Sequence, residues 1–269
     1  MKRVPVLLVA TAMVVGVASL AKPAAARGDY QRDISATIPL DGATAIDIRT
    51  SNADLTTKFA TDRRQSNGPA ASNAVPAGNT IAIHGTAHAD SQAVLDDVGV
   101  TVERRGGNLV VQIGPRHDRG SNFSGSFTLG LPSDSPVAIE TSNGNVHVAG
   151  HRAPLHVTTS NGNVNLDDSA AATTIRTSNG AIDIARAAGS LDLESSNGTI
   201  TTSLAPTWHG TIAARTTNAT IDLSVPHASK ATLHTSTSNG DVQNIARLQM
   251  AGDDATIRLQ SSNGNIVVR

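Results

Sequence analysis

The chain of 269 residues has no cysteine. That excludes disulfide scaffolds, thiolate metal sites, thiol catalysis and a lipid-modified N-terminal cysteine. Aromatic residues are almost as scarce: Tyr30, Phe59, Phe123, Phe127 and Trp208 are the whole complement, 2% of the chain. A core without large rings must rest on Val, Ile, Leu and Ala, which suits thin, regular layers. Charge of one sign is also missing, with 21 Lys and Arg against 22 Asp and Glu. No positive field holds a phosphate backbone and few rings are available for bases to stack on, so no nucleic-acid partner is expected.

What is present begins with an address. Lys2 and Arg3 precede a largely apolar run from Val4 to Leu20, and Ala24-Ala25-Ala26 supplies the small residues of a signal-peptidase site. Residues 1–26 therefore read as a signal peptide cleaved before Arg27. An uncleaved anchor is the alternative reading, but the run is interrupted by Pro5 and Gly16 and is short of the roughly 20 residues that span a bilayer. Removing three of the 21 basic residues leaves 18 against 22 acidic ones, a mature net charge of −4. The expectation is a soluble periplasmic or secreted protein with no integral membrane segment after cleavage. The final stretch, Asn265 to Arg269, lacks the terminal aromatic of outer-membrane barrels.

Repetition dominates the remainder. A Thr/Ser-Ser/Thr-Asn-Gly/Ala tetrapeptide recurs around Asn52, Asn143, Asn161, Asn179, Asn197, Asn218, Asn239 and Asn263, with steps of 18, 18, 18, 21, 21 and 24 residues from Asn143 onward. Apolar residues fall six and four places before most of these asparagines (Val137 and Ile139, Leu155 and Val157, Leu191 and Leu193, Ile212 and Ala214, Ile257 and Leu259) and three and five places after most of them (Val146 and Val148, Val164 and Leu166, Ile182 and Ile184, Ile221 and Leu223, Ile266 and Val268). Period-two alternation on both sides marks half-buried strands. The asparagine shares the inward parity of the strand before it, and the following glycine is expected to take a positive φ at the bend; Ala53 and Ala219 stand in its place twice.

Two architectures use such a unit. Each Asn-Gly closes an antiparallel hairpin, or it turns the corner of a parallel β-solenoid whose coils stack about 4.8 Å apart. Hairpins have no need of a constant tetrapeptide at a constant spacing. Stacked coils do, because equivalent residues become neighbours and the asparagines form a hydrogen-bonded ladder. The fold class expected is all-β: a parallel β-solenoid of about seven coils over residues 133–269, after an irregular N-terminal β region (27–132), together one elongated domain (27–269). In the N-terminal region Ala45 to Thr56 looks like one further unit. Residues 63–80 read as a mobile surface loop. Asn79 to Ile83, Val98 to Arg104, Asn108 to Ile113 and Phe123 to Leu131 read as strands, Ser91 to Asp97 as a helical turn, and Arg105-Gly106-Gly107 as a hairpin turn.

Thr141-Ser142-Asn143-Gly144-Asn145-Val146, Thr159 to Val164, Thr177 to Ile182 and Thr237 to Val242, with Gly107-Asn108-Leu109-Val110-Val111 and Leu129-Gly130-Leu131-Pro132 upstream, resemble a bacterial domain-of-unknown-function family labelled "putative adhesin". The resemblance covers most of the mature chain. It implies exported β-strand repeats and an adhesin-like role, and it carries no catalytic residue.

Candidate chemistry is thin. Of nine histidines, His147, His151 and His156 cluster in sequence, but His147 falls on an outward position and no His-x-x-x-His or His-Glu pair is present. Solvated side chains explain them better than metal ligation. Asp167-Asp168 and Asp253-Asp254 sit at expected corners, without the Gly-Gly-x-Gly-x-Asp repeats of calcium-binding β-rolls. No metal or cofactor is expected. Glu140, Asp183, Glu194 and Asp222 are the outward acids that a carbohydrate-active enzyme on a β-helix would use, yet no aromatic-lined cleft accompanies them. The expected function is a non-enzymatic envelope or surface protein, adhesin-like, binding a protein or surface polymer through a solenoid face or an exposed terminal strand. Self-association through a C-terminal edge at Gly264 to Arg269 is part of that expectation. A carbohydrate-active enzyme and an accessory protein of envelope stress signalling are the alternatives.

Overall fold

Alternating apolar residues on both sides of the Asn-Gly turns can be buried together only if the two flanking strands face each other, and that is how the chain is arranged. The computed structural model describes residues 30–59, 79–117, 123–226, 231–246 and 255–269; the signal peptide, residues 63–78 of the expected loop, and Asp253-Asp254 lie outside them. The chain begins with β1 (Tyr30–Pro39), β2 (Ala45–Arg49), β3 (Ala53–Phe59), β4 (Thr80–Ala89), helix α1 (Gln92–Asp97), β5 (Val98–Arg105), β6 (Asn108–Pro115) and β7 (Phe123–Leu131). Seven coils follow, each a strand on either side of a tetrapeptide. They are β8 (Val137–Glu140) and β9 (Val146–Ala149), β10 (Leu155–Thr158) and β11 (Val164–Asp167), β12 (Thr173–Thr177) and β13 (Ile182–Ala187), and β14 (Leu191–Ser195) and β15 (Ile200–Leu204). The last three are β16 (Gly210–Thr216) and β17 (Ile221–Ser224), β18 (Thr232–Thr237) and β19 (Val242–Asn244), and β20 (Ala255–Ser261) and β21 (Ile266–Val268).

Strands before the asparagines form a ten-stranded sheet, β18-β20-β16-β14-β12-β10-β8-β2-β6-β5, and strands after them an eleven-stranded sheet, β1-β4-β7-β3-β9-β11-β13-β15-β17-β21-β19. Coil-to-coil pairing is parallel and in register: Val137 faces Leu155, Leu155 faces Thr173, Thr173 faces Leu191, and Leu191 faces Ile212. The fold is thus a parallel β-solenoid, and the hairpin alternative does not occur at the Asn-Gly turns. Inward columns such as Val146, Val164, Ile182, Ile200, Ile221 and Ile266 are all at most 1% exposed. With about four apolar side chains per coil, each contributing roughly 1.5–3 kcal/mol when fully buried, one coil cannot offset the entropy of ordering its own backbone. Stacking provides the balance.

The first end of the stack is closed. β4 pairs antiparallel with β7 and β1, and β5 with β6 around the Arg105-Gly106-Gly107 turn, where Gly106 has φ +63°. Ser91 caps α1 by accepting a hydrogen bond from Val94 N–H at 3.3 Å, and Leu95 of this helix is buried in the core.

Three expectations are corrected. The asparagines do not point inward: Asn143, Asn161, Asn179, Asn197, Asn218, Asn239 and Asn263 are exposed and Asn52 is half-buried. The buried polar residue of the tetrapeptide is the first one. Thr141, Thr159, Thr177, Ser195, Thr216 and Ser261 are at most 6% exposed, and the hydroxyls of all but Thr216 accept the glycine N–H three residues on, as in Thr159 with Gly162 and Ser195 with Gly198. From Thr177 onward they also donate to a carbonyl of the adjacent coil, as Ser195 Oγ does to Gly180 O at 3.1 Å. The glycine is not needed for a positive φ, since Gly144, Gly162, Gly180, Gly198, Gly240 and Gly264 are absent from the left-handed residues. It is needed for closeness: a Cβ on Gly162 would overlap the Gly144 carbonyl, and one on Gly180 the Gly162 carbonyl. Finally, chain order and spatial order part company at the far end. β20 and β21 lie between the Asn218 coil and the Asn239 coil. Gly264 to Arg269 is an interior rung, and the terminal rung is β18 with β19.

His151 is fully buried at a corner, its ring 4.5 Å from Phe59 centroid to centroid. Burial pushes its pKa below the ordinary 6.5, offset in part by the Pro154 carbonyl and the charge of Asp134. The unfolded chain therefore takes up the proton first, and the stability tied to neutral His151 is whole above pH 6.5 and is lost as the pH falls below it. Melting temperature should drop on acidification from pH 7.5 to 5.5, and His151→Leu should flatten that slope. At the corner, Gly180→Ala should destabilise by about 1–3 kcal/mol through overpacking, more than Asn179→Ala, whose amide is exposed. Urea midpoints of the two variants decide the ranking.

Candidate functional site

The outward acids are divided between the two faces. Glu140 and Glu194 lie on strands of the ten-stranded sheet, where Arg49 lies 3.7 Å from Glu140 and Arg176 reaches both Asp192 (3.2 Å) and Glu194 (3.3 Å). Asp183 and Asp222 belong to the eleven-stranded sheet. They share one column, separated by the Thr201 rung, hence stand about 10 Å apart. Asp222 pairs with Arg269. No pair of carboxylates from opposite faces can flank one glycosidic bond. Asp167, one of the corner acids, is held by Arg186 at 2.6 Å, and its neighbour Asp168 takes a left-handed φ of 60°. Among the described residues no group of three or more His, Asp or Glu is arranged to hold a metal. His147 is exposed on the eleven-stranded sheet, and His156 bonds Thr158 at 3.1 Å on the other.

The eight asparagines come together in one column along the corner. Asn143 Nδ2 donates to Asn52 Oδ1 at 2.5 Å, Asn161 to Asn143, Asn179 to Asn161, Asn197 to Asn179 and Asn218 to Asn197 each at 2.7 Å, Asn263 to Asn218 at 2.8 Å and Asn239 to Asn263 at 2.7 Å. Every amide donates toward Asn52, so the side-chain dipoles add instead of cancelling. The backbone keeps the same direction, since Ser142 N–H and Asn143 N–H both donate to Ser51 O, and Ser160 N–H and Asn161 N–H to Ser142 O. A second column runs beside the first: Asn145 Oδ1 accepts from Asn163 N–H, and Asn163 Oδ1 from Ala181 N–H.

Both ends of this polar corner were hidden from the sequence. At the head, a cavity of about 630 Å³ opens in front of Asn52, lined by Arg49, Thr50, Ser51, Gln112, Arg116 and His117 among others. At the tail, the β18–β19 rung leaves its outer edge without a strand among the described residues. Val242, which continues the buried column of Ile221 and Ile266, is 44% exposed there, and Ile245 is 63% exposed. A shallow groove of about 510 Å³ runs between them on the eleven-stranded face, past Asn165, Asp183, Thr201 and Asp222. The only sequence signal for the rearranged tail is the widening of the last steps to 21 and 24 residues.

Asp183 has polar, uncharged column neighbours, Asn165 and Thr201. Asp183→Asn should therefore leave the melting temperature unchanged, whereas Asp222→Asn, which loses Arg269, should cost about 0.2–1 kcal/mol. Calorimetric unfolding of both variants checks the difference.

Several solved structures are similar to this chain. A "putative cell adhesion protein" from Clostridium sporogenes shares 8% identity, covering 88% of this chain and 98% of that one, with a TM-score of 0.40. A "putative adhesin" from Bacteroides fragilis shares 12% identity over 88% and 97% with a TM-score of 0.41, and one from Parabacteroides merdae 12% over 88% and 95% with a TM-score of 0.28. Likenesses this loose bear no weight on function. No curated protein matches the chain. The model of the Toastrack DUF4097 family matches residues 32–269, and the chain belongs to that family.

Proposed function

We propose that this protein, after removal of residues 1–26, is an exported, non-enzymatic, adhesin-like surface protein that acts as one elongated domain over residues 27–269. Its partner is a second copy of the same chain, gripped at the tail. One observation carries this reading: two of the three large apolar residues exposed among the described residues, Val242 and Ile245, lie on or just past the terminal β18–β19 rung, whose outer edge carries no strand among the described residues. The third, Tyr30, begins β1 at the opposite end.

Strand addition is the least costly way to satisfy such an edge. Ile266 N–H donates to Asp241 O, and Ile245 N–H to Val268 O, so residues 241 and 245 turn their backbone groups inward. In a parallel ladder the intervening Val242 and Asn244 then turn theirs outward. Two tails related by a twofold axis bring these edges together antiparallel, with Val242 and Ile245 of each covering the other in an isologous contact. An adhesin of this kind links surfaces that carry the same protein. The column of acids on two separate faces favours no hydrolytic alternative.

Asn244→Pro removes one outward N–H and leaves both apolar side chains in place; Ile245→Lys does the reverse. Sedimentation velocity of the mature chain should show concentration-dependent dimers that either substitution weakens several-fold without loss of the melting transition. Dimers unaffected by both variants, or a strictly monomeric native chain at high concentration, would defeat the proposal.

A further inference from the structure

Six of the tetrapeptides join asparagine directly to glycine: Asn143-Gly144, Asn161-Gly162, Asn179-Gly180, Asn197-Gly198, Asn239-Gly240 and Asn263-Gly264. A seventh pair, Asn67-Gly68, lies outside the described residues. Such a pair is prone to react with itself, because the backbone nitrogen of a residue without Cβ reaches the preceding side-chain carbonyl carbon unhindered. Each corner restrains the reaction with three hydrogen bonds. Asn161 Nδ2 donates to Asn143, Asn161 Oδ1 accepts from Asn179, and Gly162 N–H donates to Thr159 Oγ1 at 3.1 Å. Asn143, Asn179, Asn197 and Asn263 have the same three. For any of these carboxamides to turn toward its own glycine, all three must break.

Asn239 keeps one of the three. Its Nδ2 donates to Asn263 Oδ1 at 2.7 Å. It ends the column, so among the described residues no further coil donates to its Oδ1. Gly240 N–H has no partner among the described residues either, although Thr237 Oγ1 donates to Gly264 O at 3.0 Å. Ser238 and Asn239 are exposed. The chain is described without a break from Ala231 to Ala246, and the breaks on either side fall at the opposite corner, separated from this turn by β18 and β19.

We infer that Asn239 is a site of self-modification: of the six tetrapeptide Asn-Gly pairs, it is the one that converts to aspartate and isoaspartate in the folded protein. The Gly240 backbone nitrogen attacks Asn239 Cγ. A C–N bond forms, the Cγ–Nδ2 bond breaks, and the proton lost from Gly240 N–H leaves with Nδ2 as ammonia. One water then opens the cyclic imide. Attack at Cγ leaves aspartate, and attack at the Asn239 backbone carbonyl leaves isoaspartate, whose main chain runs through Cβ. Aspartate sets a carboxylate oxygen against Asn263 Oδ1, acceptor against acceptor. Isoaspartate adds a methylene to the main chain of a turn packed so closely that a Cβ on Gly240 would overlap the Gly264 carbonyl. Either product loosens the β18–β19 rung. A weakening of dimers by this conversion rests on the self-association proposed above; the conversion itself does not.

The mature chain, kept dilute and monomeric, is incubated folded and, in parallel, unfolded in urea. Trypsin leaves each of the six pairs on its own peptide, and mass spectrometry with isoaspartate-specific methylation follows each one. In the folded chain Asn239 should convert at least about tenfold faster than the other five, which react only through local opening, whereas an end rung frays readily. In urea all six should convert at comparable rates. Asn239→Ala makes Asn263 the end of the column with Gly264 N–H still held by Ser261, and conversion at Asn263 should rise several-fold without reaching the native Asn239 rate. Folded protein converted at Asn239, separated by its added negative charge, should exchange the Ile245 and Ala246 amide protons faster and those of Ile182 and Ile200 unchanged. Equal conversion of all six in the folded chain, faster conversion at any of the other five, or an intact Asn239 once the unfolded chain has converted would overturn the inference.

Discussion

The approach of one backbone corner to the next is the constraint on which the molecule depends. Where the chain turns after six of the eight asparagines, the glycine Cα sits so near the carbonyl of the adjacent coil that an added Cβ would overlap it, while Ala53 and Ala219 hold the position in the other two turns. The rest of the tetrapeptide follows from that distance. A hydroxyl two places before the asparagine closes the turn from inside by accepting the glycine N–H, and the asparagine closes it from outside by bonding its neighbours. Inner and outer hydrogen bonds hold the same short spacing, which in turn fixes the register of both sheets. Once register is fixed, every inward Val, Ile or Leu meets its counterpart, and the thin core needs no aromatic ring to fill it.

Much of this was legible because the solenoid writes its register into the sequence. Strand positions, the parity flip across Asn-Gly and the stacking of Asn143, Asn161, Asn179 and Asn197 all follow from a repeat of 18 residues. Orientation at the turn was not legible. Parity counting places Asn179 on the inward side of its strand, but the turn has already begun at Thr177, so the count fails by the time it reaches the asparagine; Thr177 is the last inward residue. The order of the last two coils was equally hidden, since the Asn239 and Asn263 tetrapeptides are alike and either could lie against Asn218. Strand β1 went unread, and β4 runs to Ala89, past the expected Ile83. Both pair antiparallel at the closed end, outside the repeat that made the other strands visible.

The two ends of the rod differ in kind. The head is covered by antiparallel strands and by Leu95 of the helix, and the aligned amides of the asparagine column run toward it. The tail is an open rung whose inward column ends in a partly exposed valine. A polar, directional end and an apolar, edge-bearing end suit two different kinds of contact on one elongated body, and the regular faces between them hold the ends at a fixed separation. The acids on those faces are largely answered by neighbouring arginines, as Glu194 is by Arg176 and Asp222 by Arg269.

The interleaving of the final coils has a consequence for how the chain is made. A solenoid built strictly in sequence order can grow one coil at a time as it emerges, each new coil resting on a finished surface. Here the Asn239 coil is synthesised before the coil on which it rests. Its strands have no neighbour until β20 and β21 arrive to fill the gap, and Arg269 itself bonds into that gap through Leu223 and Val225. Residues 255–269 are therefore a wedge that locks the end of the stack, and a chain without them has a detached Asn239 coil.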